Sequence, residues 1–249
     1  MSYATPVAIA DAALDNHCTS VAFTYNDPVI FMEYAVDTAI ECKKRGVKTI
    51  AVTAGYIKPG ARKEFFRHID AVNVDLKAFT EDFYRKQCAG SLARVLETLE
   101  YIKHDTGAWL EITNLIIPGE NDSRGELEKM CRYIYSSLGP GVPLHFSAFH
   151  PDYKMIDKQR TSRESLTLAR KIARNNGLHF VYTGNVEDLE GDTTFCPGCN
   201  RAVIERNWYE ILSYHLDEHG RCICGRALEG HYSKAAGTWG RKRQPVAIQ

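Results

Sequence analysis

Asp75-Leu76-Lys77 sets a carboxylate and an ammonium two residues apart at the end of a β-branched run. In an extended chain residues i and i+2 share a face, so the two project together. Three chemistries use such a pair. It can be an inward ion pair that neutralises itself, a lysine that forms a Schiff base as in aldolase-type barrels, or a receptor for a ligand carrying both an amine and a carboxylate. Thr24-Tyr25-Asn26-Asp27-Pro28 follows another such run. Asn or Asp there caps a helix and Pro28 suits its first turn, and the same carboxylate can equally receive an ammonium group. In Phe149-His150-Pro151 a histidine ends a further run at the same rim as Lys77, either as a ligand or acid–base group or in a structural role. The loop at 116–123, with Pro118, Gly119 and Ser123, is explained by turn chemistry alone.

A separate group of thiols lies near the C-terminus. Cys196-Pro197-Gly198-Cys199 has the spacing that folds two sulfurs onto one ion. Cys222-Ile223-Cys224 offers the second half with one residue fewer, and His219 or His231 can stand in for a cysteine. Nothing indicates an open coordination position, so the expected ion is a structural zinc. The remaining thiols, Cys18, Cys42, Cys88 and Cys131, sit in apolar-periodic segments and are expected to be small buried hydrophobes.

The elements that must position these residues alternate in type. Strand-like runs fall at 20–24, 48–53, 71–77, 109–117, 144–149 and 178–183, with helical patterns between them. Thr5-Pro6 and Asp27-Pro28 open two helices, and Ser123/Glu126 and Thr161/Glu164 have capping-box spacing. Repeated strand–helix units predict parallel strands with helical crossovers. In the run 71–77, Val72, Val74 and Leu76 face one way and Asn73, Asp75 and Lys77 the other; Glu111 and Thr113 repeat the theme. One apolar and one polar face fits a barrel whose interior carries the chemistry better than an open sheet buried on both faces. The pattern begins with a helix, so the expected fold is an α/β chain: a partial (β/α) barrel missing its first strand, with a small zinc-ribbon-like appendage. The expected organisation is a barrel over 1–186, a cysteine-rich segment over 187–232 entered through an acidic linker at 187–193, and a disordered tail over 233–249.

Several function classes are excluded by bulk properties. The 249 residues carry no net charge, with 31 basic and 31 acidic residues, so nothing favours a nucleic-acid footprint. The Arg241-Lys242-Arg243 run reads as a solvated tail. No apolar run approaches the ~20 residues a bilayer requires. The N-terminus lacks the basic start and apolar stretch of a secretory signal, and the expected location is cytoplasmic.

Taken in order, Thr24 to Pro28, Thr53-Ala54-Gly55-Tyr56, Asp75-Leu76-Lys77, residues 117–123 and His150-Pro151 resemble the pyruvate formate-lyase activating-enzyme branch of radical-SAM proteins, and within it the radical-SAM enzyme of the AmmeMemoRadiSam system. The resemblance runs from about Thr5 to Gly225. It implies an oxidoreductase that cleaves S-adenosylmethionine (SAM) at a [4Fe–4S] cluster to methionine and a 5′-deoxyadenosyl radical. It also implies a hydrogen-atom donor, either a protein of the glycyl-radical type or a small molecule. By position, Asn26 and Asp27 fall where the family contacts SAM's amino group, and Thr53 at the next strand end used against SAM. Asp75, Lys77 and His150 match positions that bind its carboxylate, ribose or adenine region. The C-x-x-x-C-x-x-C motif of that family is not found among these cysteines, which predicts a truncated or inactive form that assembles no cluster. A Schiff-base lyase using Lys77, and a non-catalytic zinc-ribbon interaction module, are the alternative readings.

Overall fold

A computed structural model of the chain describes residues 4–240, 242–246 and 248. Residues 1–3 of the N-terminal stretch and Arg241 of the basic run lie outside the described residues. The elements follow in the order α1 (Pro6–Asp15), β1 (Ser20–Phe23), α2 (Met32–Lys44), β2 (Lys48–Thr53), α3 (Pro59–Phe66), β3 (Ala71–Asp75), α4 (Glu81–Gln87), α5 (Leu92–Asp105), β4 (Trp109–Ile116), α6 (Arg124–Tyr133), β5 (Leu144–Ala148), α7 (Arg163–Asn175), β6 (Val181–Gly184), α8 (Leu189–Asp192), β7 (Thr194–Phe195), β8 (Ala202–Asn207) and β9 (Glu210–Tyr214). The first six strands form one sheet in the order β1-β2-β3-β4-β5-β6. Each strand therefore lies beside its predecessor in sequence. A doubly wound sheet reverses its order at a switch point, and this one does not, so the winding is that of a (β/α) barrel.

The chain divides into two compact units, one of 1–76, 90–111 and 243–249, the other of 77–89 and 112–242. In the first, β1 pairs in parallel with β2, and β2 with β3. Val72 and Val74 are buried while Asn73 and Asp75 remain half-buried, so the two faces of β3 divide as the alternation predicts. The helices cover the apolar side: Ala10 and Ala13 of α1 pack with Cys42 of α2 and Val47, and Phe65, Phe66, Leu99 and Ile102 are almost fully buried. Burial of side chains of that size contributes about 1.5–3 kcal/mol each. Thr5 caps α1, its Oγ1 accepting from the Ala8 N–H at 3.1 Å.

In the second unit β5 pairs in parallel with the Ile112–Ile116 part of β4 and with β6. β6 begins at Val181 rather than at 178. Gly177, at φ +89°, ends α7, and His179 turns aside to donate its N–H to the Pro140 carbonyl. The helix starts also differ. Ser123 caps α6 through the Glu126 N–H, yet the Glu126 carboxylate does not return to Ser123; it accepts the Phe79 N–H at 2.7 Å. Ser162, not Thr161, caps α7. Thr161 is buried, and its hydroxyl donates to the Ile116 carbonyl at 2.5 Å and accepts from the Phe149 N–H at 3.0 Å.

The acidic segment 187–193 is packed rather than loose. Asp188 is buried, accepts from Thr183 Oγ1 and pairs with Arg163. Gly191 presses against both: a Cβ there would lie 1.8 Å from Thr183 Oγ1. Beyond it β7, β8 and β9 form a three-stranded antiparallel sheet around Cys196, Val203, Ile204, Leu216, Cys222 and Leu228. Of the four scattered thiols, Cys42 and Cys131 are buried as expected and Cys88 is half-buried. Cys18 is exposed instead, because it falls in the turn after α1, where His17 takes a positive φ and the helical register has ended. Among the described residues no helix is long and apolar enough to cross a membrane.

Candidate functional site

The loop after β1 brings Asp27 onto the end of β2. Its Oδ1 accepts from the Val29 N–H at 3.1 Å and from Thr53 Oγ1 at 2.9 Å, and its Oδ2 accepts from the Ala54 N–H at 2.8 Å. Thr53 is buried, and its hydroxyl also accepts the Gly55 N–H. Gly55 makes this turn possible, with φ at +73° and its α-carbon so close to Val74 that a Cβ would lie 3.0 Å from Cγ1. Asp27 thus takes the capping role that the sequence offers, and a structural one besides. It caps the 3₁₀ turn Pro28–Phe31, and it ties two strand ends together across 26 residues of chain. Thr53 Oγ1 also lies 3.1 Å from Oδ2, so both carboxylate oxygens are engaged within the fold. Asn26 beside it is exposed, and Asp75 closes β3 half-buried.

In the second unit Lys77 follows β3 rather than lying in it, and its backbone is held from three directions. Its N–H donates to the Tyr84 hydroxyl, and its carbonyl accepts from Asn114 Nδ2 at 3.1 Å and Asn121 Nδ2 at 2.6 Å. Asn121 is buried and also donates to the Leu115 carbonyl, while its Oδ1 accepts the Ile117 N–H. The loop that reads as turn chemistry is therefore also a clamp on Lys77. Asn121 reads in the sequence as an ordinary residue of a Pro-Gly loop, while Asn114 in β4 and Tyr84 in α4 belong to no motif, so none of the three stands out as a site residue. Burial pushes the Glu126 carboxyl above its ordinary value, despite the Phe79 N–H it accepts. His150 is exposed two residues beyond β5, and the Phe149 N–H before it is anchored by Thr161.

The four C-terminal thiols converge. The Sγ atoms of Cys196, Cys199, Cys222 and Cys224 all lie within 4.8 Å of one another, with Cys196 to Cys224 at 3.6 Å and Cys199 to Cys222 at 3.7 Å. A tetrahedron with Zn–S bonds of about 2.3 Å has edges of about 3.8 Å. The shorter Cys222-Ile223-Cys224 bite closes because Gly225, at φ +87°, turns the chain and donates its N–H to the Cys222 carbonyl. Asn200, at φ +57°, does the same for Cys196. Burial pushes the Cys196 thiol up to about 11, and the Arg226 N–H, followed by the Cys196 thiol, brings Cys224 down to about 7. His219 and His231 are outside the group.

These thiols suit one ion. A [4Fe–4S] cluster, in which each of four irons takes its own thiolate, needs sulfurs farther apart than a single ion does. The other cysteines do not fit it either. Cys42 and Cys131 are sealed in helices, with burial pushing Cys131 up to about 12, and among the described residues no second cysteine group forms.

Residues 1–134 match the model of the Radical SAM superfamily. An uncharacterized protein of Methanocaldococcus jannaschii is 39% identical over 227 residues, covering 90% of this chain and 67% of that one. The pyruvate formate-lyase-activating enzyme of Clostridium pasteurianum is 26% identical over 157 residues, covering 58% of this chain and 64% of its own. The chain thus spans about two thirds of the length of each of these curated relatives. A crystallised domain of pyruvate-formate lyase-activating enzyme from Bacteroides vulgatus superposes with a TM-score of 0.59 at 17% identity, over 67% of this chain and 99% of that one. With the family model covering more than half its length, on strands wound in sequential order, this chain belongs to the radical SAM superfamily.

Proposed function

We propose that this chain supplies the SAM-holding residues of an activating-enzyme-like radical-SAM protein and, by itself, binds SAM without cleaving it. The observation that carries the reading is the bridge of Asp27 to Thr53 and Ala54. It fixes a carboxylate at the strand ends, a group whose charge suits an ammonium. Asn26 is its neighbour in the chain, with a side-chain carbonyl that can accept a further N–H of that group. Lys77, its backbone immobilised by Asn114 and Asn121, offers an ammonium for SAM's carboxylate. Asp75 and His150 are assigned to SAM's carboxylate, ribose or adenine region by their place in the family's order. In this family a [4Fe–4S] cluster supplies the electron that breaks SAM's sulfonium bond; the cysteines of this chain do not fit it, and no electron-transfer step is assigned to them. The hydrogen-atom donor would be a protein of the glycyl-radical type or a small molecule.

The cysteine-rich segment at 187–232 is assigned a tetrahedral zinc with a structural role, supported by the sulfur spacing and by the burial of Cys196 and Cys222 in their own apolar cluster.

The test is titration calorimetry with SAM, followed by anaerobic reconstitution with iron and sulfide. Weak SAM binding is expected, reduced about tenfold or more in Asp27→Asn and Lys77→Met, with no stoichiometric cluster. Formation of 5′-deoxyadenosine by this chain would overturn the reading, and so would SAM binding indifferent to both substitutions.

A further inference from the structure

Between α7 and the strand that leads into the first cysteine pair lies a cleft of about 320 Å³, walled by Arg170, Lys171, Arg174, Glu190, Phe195 and Asn200. That volume is at the lower end of small-molecule sites, about 300–1,000 Å³. Three cations face one carboxylate there. Arg170 is only 8% exposed, and two bonds fix its guanidinium: Nε donates to the Val181 carbonyl at 3.1 Å and Nη1 to Glu190 at 2.8 Å. Arg174 lies one helical turn on and donates to Asn200 Oδ1 at 3.1 Å. Both guanidinium carbons sit over the Phe195 ring, 5.7 and 5.8 Å from its centroid. Lys171 is exposed, and its side chain makes no hydrogen bond or ion pair among the described residues.

Two guanidiniums gathered on one ring repel each other, and the ring recovers only about 0.5–2 kcal/mol per cation. Burial and the charge of Arg170 hold Arg174 below the ordinary guanidinium value. The Glu190 carboxylate is 73% exposed, so solvent screens much of its compensation. An oxyanion in the cleft would relieve this repulsion, and a planar guanidinium presents paired donors that match phosphate and carboxylate oxygens. We propose that the cleft is a binding site for a small molecule bearing a doubly charged oxyanion, a phosphate monoester or a dicarboxylate, gripped by Arg174 and Lys171 with Arg170 braced behind them. The assignment rests on α7 and Phe195 and is independent of the SAM reading.

The experiment is amide-resolved NMR titration of the 249-residue protein with inorganic phosphate and, separately, with succinate, at ionic strength held constant with chloride. Saturable shifts confined to α7 and the 195–200 segment are expected, with dissociation constants of order 1 mM. Preference for phosphate identifies a phosphoryl ligand, and preference for succinate a dicarboxylate. Lys171→Glu, on an exposed side chain whose loss leaves the fold intact, is expected to weaken binding about tenfold or more, as is Arg174→Gln. Lys63→Glu on α3 should leave it unchanged. Absence of saturable binding by either anion up to about 10 mM, or Lys171→Glu with wild-type affinity, would overturn the assignment.

Discussion

Glu126 illustrates how a side chain chosen for one local task takes on another. Its spacing from Ser123 suits a capping box, yet its carboxylate accepts the Phe79 N–H, 47 residues earlier in the chain. That bond draws the carboxylate into a half-buried position, where desolvation raises its pKa above the ordinary value of 4.5. The folded state then holds the Glu126 proton more tightly than the unfolded state does. Well below pH 4.5 both states are protonated and nothing is lost. As pH rises through the unfolded value and then the raised folded value, the unfolded chain ionises first and stability falls. Glu126→Gln keeps an acceptor for Phe79 and removes this dependence. Urea unfolding should show the variant more stable than wild type near neutral pH, with the difference gone at about pH 4. A gap that stays constant across that range would contradict the desolvated-carboxylate account. Asn121 carries the opposite lesson. It is uncharged and sits in a loop with ordinary turn residues, yet its amide joins Lys77, Leu115 and Ile117.

At the scale of elements, the start of α7 separates what sequence can locate from what only tertiary structure decides. Thr161, Ser162 and Glu164 offer two overlapping helix starts. The structure uses Ser162 as the cap and carries Thr161 into the interior, where one hydroxyl joins the ends of β4 and β5. Losing a cap costs about 1 kcal/mol. Removing the Thr161 hydroxyl leaves the Ile116 carbonyl and the Phe149 N–H buried without it, at about 1–3 kcal/mol each. Thr161→Val should therefore destabilise the protein more than Ser162→Ala does in equilibrium unfolding; the reverse order would return the cap to Thr161. The same division runs through the sheet. The strand runs 48–53, 109–117 and 144–149 are found within one residue of their ends, because β-branched alternation is a local signal. The displaced start of β6 depends on a bond from His179 to Pro140, which no local pattern encodes. Asp27 and Thr53 are each legible as strand-end residues, whereas their contact across 26 positions is a product of parallel pairing between β1 and β2.

On the scale of the whole molecule, the sequential strand order accounts for why weak motifs become informative together. Each motif follows a strand, and within each unit parallel pairing places the ends of neighbouring strands on the same side. The C-terminal thiols follow a different logic. Their four sulfurs come from two loops more than twenty residues apart, and the small sheet of β7, β8 and β9 beside them has few large apolar residues beyond its cluster. A segment of that size seldom stabilises itself by burial alone and ordinarily relies on a crosslink or a metal. One tetrahedral ion is therefore expected per chain, measurable by elemental analysis of the purified protein. Cobalt substitution should give the visible bands of a tetrathiolate site, and Cys199→Ser should weaken retention of the ion. Chelation is expected to lower the melting temperature and open 194–232 to proteolysis, since ligand binding to the folded state alone sets that part of the stability. Purified protein without metal, melting at a temperature indifferent to a strong chelator, would show instead that the cysteine cluster holds together by its own hydrogen bonds and packing.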